Sequence, residues 1–463
     1  MLPTGWEYDD KTEEINDIIE SVNQLPIVDV LASYNVEPER HSGRFVAALC
    51  PFHMDNKIGS FMINTDKNSC WCYACNKGGG VVKAVSMILD VDFAQAALQV
   101  ACDNEIITKD KYNELSKVEY KPVKKAEKTK ETKSKVDYSL AEEVYLDMAK
   151  FFGLSKEHET HILKDRGLSS KGVLEMAFSM DTTKPEFYKH LYSVYDKEKR
   201  AEIAEKVPGF FLKKDRFGNF DLDVVPKKGL ALLLTDTFGD IRAIQVRDDD
   251  PDANIRYTFF SYVPPKKFND FLRGGASCGT PACIHFEKNV STGNIAICEG
   301  FFKGAKLAEN EFNTISLPGV NNFKGIEKEI KVLRKELRDG YEVKPSNTIS
   351  IFYDADFIKN PQVTAAAIKL GEYIMKKMPE ITVNYIVWNP DNGKGIDDLI
   401  NNGKRSTCKK YDFDYYSSTS QKAFTDALFV TGFTDTPQTK LTKNDRTIIL
   451  SEFERIMRNK FNM

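Results

Sequence analysis

The sequence has no excess of basic charge, no long apolar run and no phosphate-binding loop signature. Its 463 residues carry a formal net charge of -3, which excludes an overall basic surface for nucleic acid, so any polyanion site must be local. Apolar runs such as GLALLL are too short to span a bilayer, and the N-terminal MLPTGWEYDD lacks the pattern of a secretory signal. No GxxxxGK[ST] motif occurs, which excludes a fused P-loop ATPase. These absences predict a cytoplasmic protein that has no membrane partner.

The nine cysteines form no regular disulfide framework and favour metal binding in a reducing compartment. Cys50 and His53 form one C-x2-H knuckle, and Cys72 and Cys75 form a C-x2-C knuckle. Four ligands with no open position predict one structural Zn2+ that stabilises a small domain. Cys70 lies nearby, but only Cys72 gives the knuckle spacing, so we expect Cys70 to be a bystander.

Four aromatic residues surround the predicted zinc ligands. We expect Phe52 and Phe61 to belong to the core of the zinc module. For Trp71 and Tyr73 two interpretations stay open. They could belong to the same core, or they could stack on bases while nearby lysines neutralise phosphates.

Hydrophobic periodicity and changes in composition divide the chain into five segments. Helices are predicted at 12–34 and 81–101, and a strand at 45–49, in the first segment. The third segment changes from helix to short strands, and the fourth alternates strand and helix, which predicts a parallel sheet covered by helices. The predicted class is therefore an α+β multidomain protein, with a small metal-binding domain (1–106), a Lys-rich flexible linker (107–137), an α+β lobe (138–291), an α/β domain (292–403) and a polar tail of unknown role (404–463).

Acidic residues follow successive strands of the α/β domain. Glu299 ends the strand IAIC, Asp354 and Asp356 end the strand ISIFY with alternate spacing, and Asp397 and Asp398 follow the next strand. Each alone would be read as a cap or turn residue, but the carboxyl ends of parallel strands meet at one edge of a sheet. Carboxylates in this number suit two Mg2+ or Mn2+ ions. Such ions would activate a 3'-hydroxyl and stabilise a leaving pyrophosphate.

The zinc and acidic motifs, in this order, resemble those of the bacterial and phage DnaG-type DNA primases over residues 25 to 400. The CPFH and CxxC blocks are similar to the family's zinc ribbon, and the strand, Glu-Gly, helix, Asp-x-Asp layout is similar to its TOPRIM domain. The segment HILKDRGLSSKGVLEMAFSM resembles the start of the polymerase core, with Arg166 at its centre. The segments GDIRAIQVRDDD and NIRYTFFS resemble the basic ridge, which makes Arg247, Arg256 and Tyr257 candidates for phosphate contact. Their alternative interpretation is an exposed strand edge.

The sequence departs from the family in three places. Where the family often has Asp-x-Asp in its third acidic motif, Gly395 takes the first position, which makes Asp397 the better match and leaves Asp398 open. The segments RGGASCGTPACIHF and GKGIDDLI look more like the TOPRIM proteins of phages and mobile elements. The tail is shorter than the helicase-interaction domain of cellular primases, so a replicative helicase would act in trans or through another surface.

The resemblance implies a primase that joins ribonucleoside triphosphates on a single-stranded DNA template in a bacterial cytoplasm or a phage-infected host. It implies metal binding by Glu299, Asp354, Asp356 and Asp397, while Lys303 and Lys306 are candidates for triphosphate contact. The zinc domain would grip the template and swing on the Lys-rich linker. Two alternatives remain: a TOPRIM nuclease that uses water as the nucleophile, and a zinc-dependent DNA-binding accessory without enzymatic activity.

Overall fold

The computed structural model describes residues 10–118, 120, 136–169, 171–250, 253, 255–265, 268–287 and 290–463. Two units are distinguished: residues 1–128, 358–362 and 420–462 form the first, and residues 129–357 and 363–419 belong to the second. No helix in these described ranges is long and apolar enough to cross a membrane.

The helices and strands are numbered here in chain order. The α-helices are α1 (Asp10–Asn23), α2 (Ile27–Ser33), α3 (Val81–Leu89), α4 (Phe93–Asp103), α5 (Lys109–Leu115), α6 (Tyr138–Phe152), α7 (Lys156–Thr160), α8 (Lys171–Glu175), α9 (Pro185–Val194), α10 (Lys197–Lys206), α11 (Phe301–Ala308), α12 (Ile326–Asp339), α13 (Pro361–Lys377), α14 (Ile396–Asn401), α15 (Phe413–Thr431) and α16 (Lys443–Lys460). The strands are β1 (Pro38–Ser42), β2 (Phe45–Ala48), β3 (Phe61–Asn64), β4 (Ser69–Cys72), β5 (Gly78–Gly80), β6 (Ala177–Asp181), β7 (Phe210–Lys214), β8 (Phe220–Val224), β9 (Lys228–Thr235), β10 (Ile241–Asp248), β11 (Tyr257–Phe259), β12 (Leu272–Arg273), β13 (Cys283–His285), β14 (Ile295–Glu299), β15 (Asn313–Leu317), β16 (Thr348–Phe352), β17 (Thr382–Val387) and β18 (Lys409–Asp412). A π-helical turn (His161–Asp165) follows α7, and a short 3-10 helix (Ala355–Ile358) follows β16.

The first unit contains a five-stranded sheet in the order β1-β2-β3-β4-β5, in which all neighbours are antiparallel. Strand β2 confirms the predicted strand at 45–49, but each predicted flanking helix is two helices. The first is interrupted at Pro26, which lacks the N–H that would continue α1 and instead precedes α2. The second is interrupted because Asp90 adopts a left-handed conformation (φ 55°) and Asp92 caps α4 by accepting hydrogen bonds from Ala94 N and Gln95 N.

Helix α5 lies inside the range predicted to be a flexible linker. Its Leu115 is fully buried in the hydrophobic core of the first unit, so residues 109–115 are ordered by packing. Residues 119 and 121–135, which carry most of the lysines of that range, lie outside the described residues. The proposed domain boundaries otherwise remain predictions.

The C-terminal segment of the first unit packs beside the cysteine region. Leu441 and Ile449 form an apolar cluster with Met54, and Phe424 and Leu428 of α15 pack against that cluster. The predicted helix near the C-terminus is present as α16, and its amphipathic face has a partner in the zinc module. The polar tail is therefore, in large part, a structural element of the first unit.

The second unit contains three sheets, with the orders β11-β10-β9-β6, β12-β7-β8 and β13-β15-β14-β16-β17-β18. In the third sheet β15, β14, β16 and β17 are parallel, and antiparallel strands β13 and β18 form the edges. The predicted strand and helix alternation from Ile295 to Val387 is confirmed, and the protein has the expected α+β multidomain class. Strands β14 and β15 are buried along almost their whole length, as central parallel strands require.

Candidate zinc module and carboxylate cleft

The four predicted zinc ligands lie together in the first unit. One ligand atom from each of Cys50, His53, Cys72 and Cys75 lies within 4.8 Å of all the others. Cys50 Sγ is 3.9 Å from Cys75 Sγ, and Cys72 Sγ is 3.6 Å from His53 Nδ1. A tetrahedral ion with Zn–S near 2.3 Å and Zn–N near 2.05 Å sets these edges at about 3.8 and 3.6 Å. The donor set and its spacing therefore fit Zn2+.

Cys70 and Cys72 lie on the buried face of β4, and Trp71 lies on its exposed face. Cys70 and Cys72 are buried, whereas Trp71 between them is 43% exposed. Cys70 packs in the hydrophobic core and is not one of the four clustered residues. This position agrees with the expectation that Cys70 is a bystander, and the ligand assignment stays a prediction.

A carboxylate orients the histidine of the cluster. Asp55 Oδ2 lies 3.5 Å from His53 Nε2, which leaves Nδ1 facing the thiols. Asp55 is itself fixed by hydrogen bonds from Ser60 Oγ (2.5 Å) and Lys57 N (2.9 Å). Burial acts to raise the pKa of Asp55, but the hydrogen bonds from His53 and Ser60 outweigh it and lower that pKa. Carboxylate support of this kind is common behind metal-bound histidines.

Arg446 of α16 donates hydrogen bonds to the backbone in and just after the first knuckle, which carries Cys50 and His53. It is 3% exposed, and its Nη1 donates to Cys50 O at 2.9 Å and to Asp55 O at 3.2 Å. Gln438 Nε2 also donates to Cys50 O, at 3.2 Å. The loop that carries the first two ligands is therefore fixed by a segment almost 400 positions later, a role that no local motif indicates.

The aromatic residues near the cluster fall into two groups. Phe61 is fully buried and meets Phe52 edge-to-face at 5.6 Å, so both belong to the module core as predicted. Trp71 and Tyr73 are 43% and 58% exposed. Their rings are accessible for contact with a ligand, and their role stays a prediction.

In the second unit, the acidic residues lie at the carboxyl edge of the parallel strands. Glu299 ends β14, Asp354 follows β16, and Asp397 lies in the first turn of α14. All three line a cleft of about 280 Å3. Asp356 does not continue β16, because the strand ends at Phe352 and Asp356 lies in the 3-10 helix. The alternation expected for Asp354 and Asp356 is therefore wrong, although both remain at this edge.

Lysine ammonium groups lie between the carboxylates. Lys303 Nζ is 2.5 Å from Asp354 Oδ1, and Lys394 Nζ is 4.0 Å from Asp354 Oδ2 and 3.9 Å from Asp356 Oδ2. Burial acts to lower the pKa of Lys303, but Asp354 and Glu299 outweigh it and raise that pKa. Lys303 is thus charged and fixed at the cleft wall.

Two carboxylates of this edge have oxygens that no described side chain satisfies with a hydrogen bond. Glu299 accepts no side-chain hydrogen bond from a described residue, and burial, followed by the charges of Asp354 and Asp356, raises its pKa. Asp356 Oδ1 is buried without a hydrogen bond, and burial and Asp354 raise its pKa in the same way. Oxygens that are buried, close to like charge and unpartnered are suited to a cation.

Asp397 and Asp398 have different roles. Asp397 is 2% exposed and accepts a hydrogen bond from Arg166 Nη1 at 3.2 Å. Asp398 Oδ2 instead accepts from Gly395 N at 3.0 Å and caps α14. A Cβ at residue 395 would lie 2.3 Å from Asp397 Oδ1, so a side chain there would displace Asp397. Glycine at position 395 therefore leaves the Asp397 carboxylate in its place.

The loop that carries Arg166 is braced from two sides. Its guanidinium lies 5.0 Å from the centre of the Phe302 ring. Lys306 Nζ donates to Gly167 O at 2.5 Å, and Asn401 Nδ2 donates to Arg166 O at 2.9 Å. Lys306 is 7% exposed and is not among the residues that line the cleft. Lys306 is therefore better placed to support the loop of Arg166 than to contact a triphosphate directly.

The residues predicted to contact phosphate or nucleotide in the second unit lie in three places. Arg166, Tyr257 and Lys303 line the carboxylate cleft. Arg247 lines a different cleft, of about 570 Å3, and Arg256 is exposed at the start of the segment that pairs with β10. The structure therefore brings three of these five residues together with the carboxylates.

Several cleft residues were missed from the sequence, among them Gln245, Phe302 and Lys394. Lys394 lies between two glycines after a strand, which is a signal that could have identified it. Gln245 is a buried polar residue within a strand, and its burial could not be read from an otherwise apolar pattern.

Two family models match the regions of the chain that carry the two sites. Residues 11–116 match the CHC2 zinc finger family, which supports the zinc expected from the two knuckles. Residues 287–406 match a domain of unknown function (DUF3854). A DNA primase of Staphylococcus epidermidis is 42% identical over 79 residues, which is 17% of this chain and 13% of that protein. A DNA primase of Staphylococcus aureus is 37% identical over 83 residues, 18% of this chain and 13% of that protein.

The matched stretch thus spans only about an eighth of these relatives. Among solved structures, the zinc-binding and RNA polymerase domains of the Aquifex aeolicus primase align over 96% of this chain and 97% of that chain, with 17% identity and a TM-score of 0.42. A DNA primase domain from Pseudomonas aeruginosa aligns over 70% and 100%, with 15% identity and a TM-score of 0.41. Likenesses at these scores carry no conclusion about activity.

Proposed function

We propose that this chain is a DNA primase that synthesises short RNA primers on single-stranded DNA. The observation that carries the proposal is the cleft in which Glu299, Asp354 and Asp397 meet Arg166 and Lys303, in a chain that also matches the CHC2 zinc finger. Carboxylates and fixed cations in one cleft suit the transfer of a phosphoryl group between nucleotides. The staphylococcal DNA primases that match short stretches of this chain support the same proposal.

Glu299, Asp354 and Asp356 are the residues that would hold Mg2+ or Mn2+, whereas Asp397, the fourth predicted ligand, accepts a hydrogen bond from Arg166. The donor chemistry fits, because these are hard oxygen ligands and Asp356 Oδ1 is buried without a hydrogen bond. The described carboxylates do not form a close cage like that of the zinc ligands, but Mg2+ is usually held by one or two carboxylates and by substrate phosphates. When bound, such ions would neutralise the triphosphate and activate the 3'-hydroxyl of the growing primer.

The chain's own side chains supply binding and orientation. Lys303 is a fixed positive charge beside Asp354, placed to contact triphosphate oxygens. Asp397 holds the guanidinium of Arg166 through one nitrogen, while Arg166 Nε has no hydrogen-bonding partner among the described residues. Arg166 is therefore positioned to bind a phosphate with its remaining donors. Tyr257 also lines the cleft, where it would contact the nucleotide or template.

The zinc module would bind the template and not take part in the chemistry. All four ligand positions are protein groups, so the ion has no open position for substrate. Trp71 and Tyr73 are exposed aromatics on which template bases could stack. The reaction would take place in the cytoplasm of a bacterium or of a phage-infected host, and a replicative helicase remains a candidate partner in trans.

Template-dependent synthesis tests the proposal. The full chain is incubated with labelled ribonucleoside triphosphates, single-stranded DNA and Mg2+ or Mn2+, and products are separated on a denaturing gel. We expect short oligoribonucleotides from the wild type and none from Asp354→Ala. A second incubation contains labelled DNA and no nucleotides. Cleavage there without synthesis would favour the nuclease, and neither product on varied templates would favour a DNA-binding accessory.

A further inference from the structure

Two β-hairpins of the second unit end in the same type of five-residue turn. The basic hairpin (β7–β8) turns through Asp-Arg-Phe-Gly-Asn at 215–219, and the acidic hairpin (β9–β10) turns through Asp-Thr-Phe-Gly-Asp at 236–240. In each, the first aspartate accepts a 2.8 Å hydrogen bond from the phenylalanine N–H, as Asp215 does from Phe217 and Asp236 from Phe238. The turns therefore present the phenylalanines in the same way, and these residues are 75% and 66% exposed.

The basic hairpin presents positive charge without a counter-ion. No described residue forms an ion pair with Lys214, Arg216 or Arg273, the last of which lies on β12 beside β7. Asp215 does not offset this charge by pairing, because its carboxylate accepts hydrogen bonds from Phe217 N and Asn219 N of the turn. Three cations are thus available at the surface for an anionic ligand.

Aromatic rings are interleaved with these cations. Arg216 lies 4.7 Å from the centre of the Phe217 ring. Lys214 and Phe220 are directly opposite across the hairpin, so they share a face, and Arg273 lies 4.0 Å from the centre of the Phe220 ring on that face. Phe271, in the adjoining loop, is 63% exposed.

The acidic hairpin has the opposite charge. Asp236 and Asp240 flank its exposed Phe238, and the nearby Arg242 is paired with both of them. Burial acts to lower the pKa of Arg242, but Asp236 and Asp240 outweigh it and raise that pKa. No unpaired cation remains at this turn among the described residues, so an anionic ligand would be repelled.

We propose that the basic hairpin is a binding site for single-stranded DNA, with Phe217 stacking on a base and Lys214, Arg216 and Arg273 contacting phosphates. The combination of unpaired cations and accessible ring faces matches how single strands are bound without sequence preference. A duplex would offer its phosphates but not its base faces. The inference rests on the proposed function, since the strand would be the template of the priming reaction.

The test compares the two hairpins in the full-length chain. Binding of a fluorescein-labelled oligo(dT) is measured by fluorescence anisotropy at several salt concentrations. Phe217→Ala should weaken binding by about fivefold or more, the lower limit of one lost base stack, while the matched control Phe238→Ala should leave it unchanged. The triple replacement of Lys214, Arg216 and Arg273 by Gln should reduce the slope of log K against log [salt] by about 2, because three phosphate contacts each contribute about 0.7 for a single strand.

Equal effects of the two alanine variants, or no effect of either, would overturn the site. So would an unchanged salt slope in the triple variant. Both phenylalanine rings are largely exposed, so these variants should fold, and circular dichroism melting checks this. Primer synthesis is measured in parallel: if Phe217→Ala weakened binding while the wild type made no primers, the hairpin site would stand and the primase proposal would fall. If the wild type made primers and Phe217→Ala bound DNA as well as the wild type, the primase proposal would stand and the hairpin site would fall.

Discussion

Replacing Arg446 with alanine should loosen the zinc module from a position far from its ligands in the chain. The guanidinium is buried and donates hydrogen bonds to the carbonyl oxygens of Cys50, Asp55, Gln438 and Leu441. Alanine would remove all four hydrogen bonds and leave these carbonyls to water that enters the vacated space. The first knuckle would then lose the contact that fixes its backbone.

The expected magnitude follows from these bonds. A hydrogen bond to a charged donor contributes about 1.5–3 kcal/mol, and water would recover part of the loss. We therefore expect Arg446→Ala to lower the free energy of unfolding of the first unit by roughly 3 kcal/mol. If zinc leaves through unfolding of this unit, its release should accelerate by roughly a hundredfold, since 1.36 kcal/mol corresponds to tenfold.

The assay is transfer of zinc to a chelating dye, followed over time, together with urea unfolding. Arg455→Ala is the matched control, because Arg455 lies on the same helix but has a side chain that is 61% exposed and pairs with Glu452. An exposed pair of this kind contributes about 1 kcal/mol or less. Equal zinc release and equal stability in Arg446→Ala and Arg455→Ala would refute the role of Arg446.

Three further predictions concern ligand identity, pH and the cleft. Cys72→Ser should lose zinc at a chelator concentration that the wild type resists, whereas Cys70→Ser should retain its zinc. The zinc content of each variant is measured by atomic absorption. Equal loss from both variants would contradict the ligand assignment. Burial lowers the pKa of His285 to about 3, so the unfolded chain binds a proton there below about pH 6.5 and the folded chain does not. Stability should therefore fall by up to about 1.4 kcal/mol per unit as the pH decreases from 6.5 towards 3, and urea unfolding of His285→Asn should show a shallower dependence; an identical slope would contradict this. Arg166→Ala would leave the buried Asp397 without its cation, so it should lower the free energy of unfolding of the second unit by about 3 kcal/mol. The double variant Arg166→Ala with Asp397→Asn should recover part of this loss. No recovery would refute the interaction between Arg166 and Asp397.

Patterns that depend on neighbours in the sequence predicted most of the fold. The apolar segments from Ile295 to Val387 gave the order of strands and helices because central parallel strands and amphipathic helices differ in period. The interruptions at Pro26 and Asp92 were visible as a helix breaker and a helix cap, but continuous apolar periodicity on both sides outweighed them in the prediction.

The sequence predicted those site residues that lie at the ends of strands. It did not predict contacts with residues from distant parts of the chain. Glu299 ends β14 and Asp354 follows β16, and the parallel pairing of these two strands brings their ends to one edge of the sheet. The contact of Arg446 with Cys50 joins residues 396 positions apart, and no local pattern contains it. The different roles of Asp397 and Asp398 likewise depend on Arg166 and a backbone N–H, which only the folded chain brings into contact.

Extension of a preformed RNA primer tests the central claim most directly, since it bypasses initiation and depends on the carboxylate cleft. A labelled primer annealed to a DNA template is incubated with ribonucleoside triphosphates and Mg2+ or Mn2+, using the wild type, Asp356→Asn and the exposed control Asp391→Asn. We expect extension by the wild type and Asp391→Asn, and a rate at least about tenfold lower for Asp356→Asn, since losing even a residue that only supports a metal ligand costs about 10–100-fold. Extension by Asp356→Asn at the wild-type rate, or none by the wild type, would contradict the account.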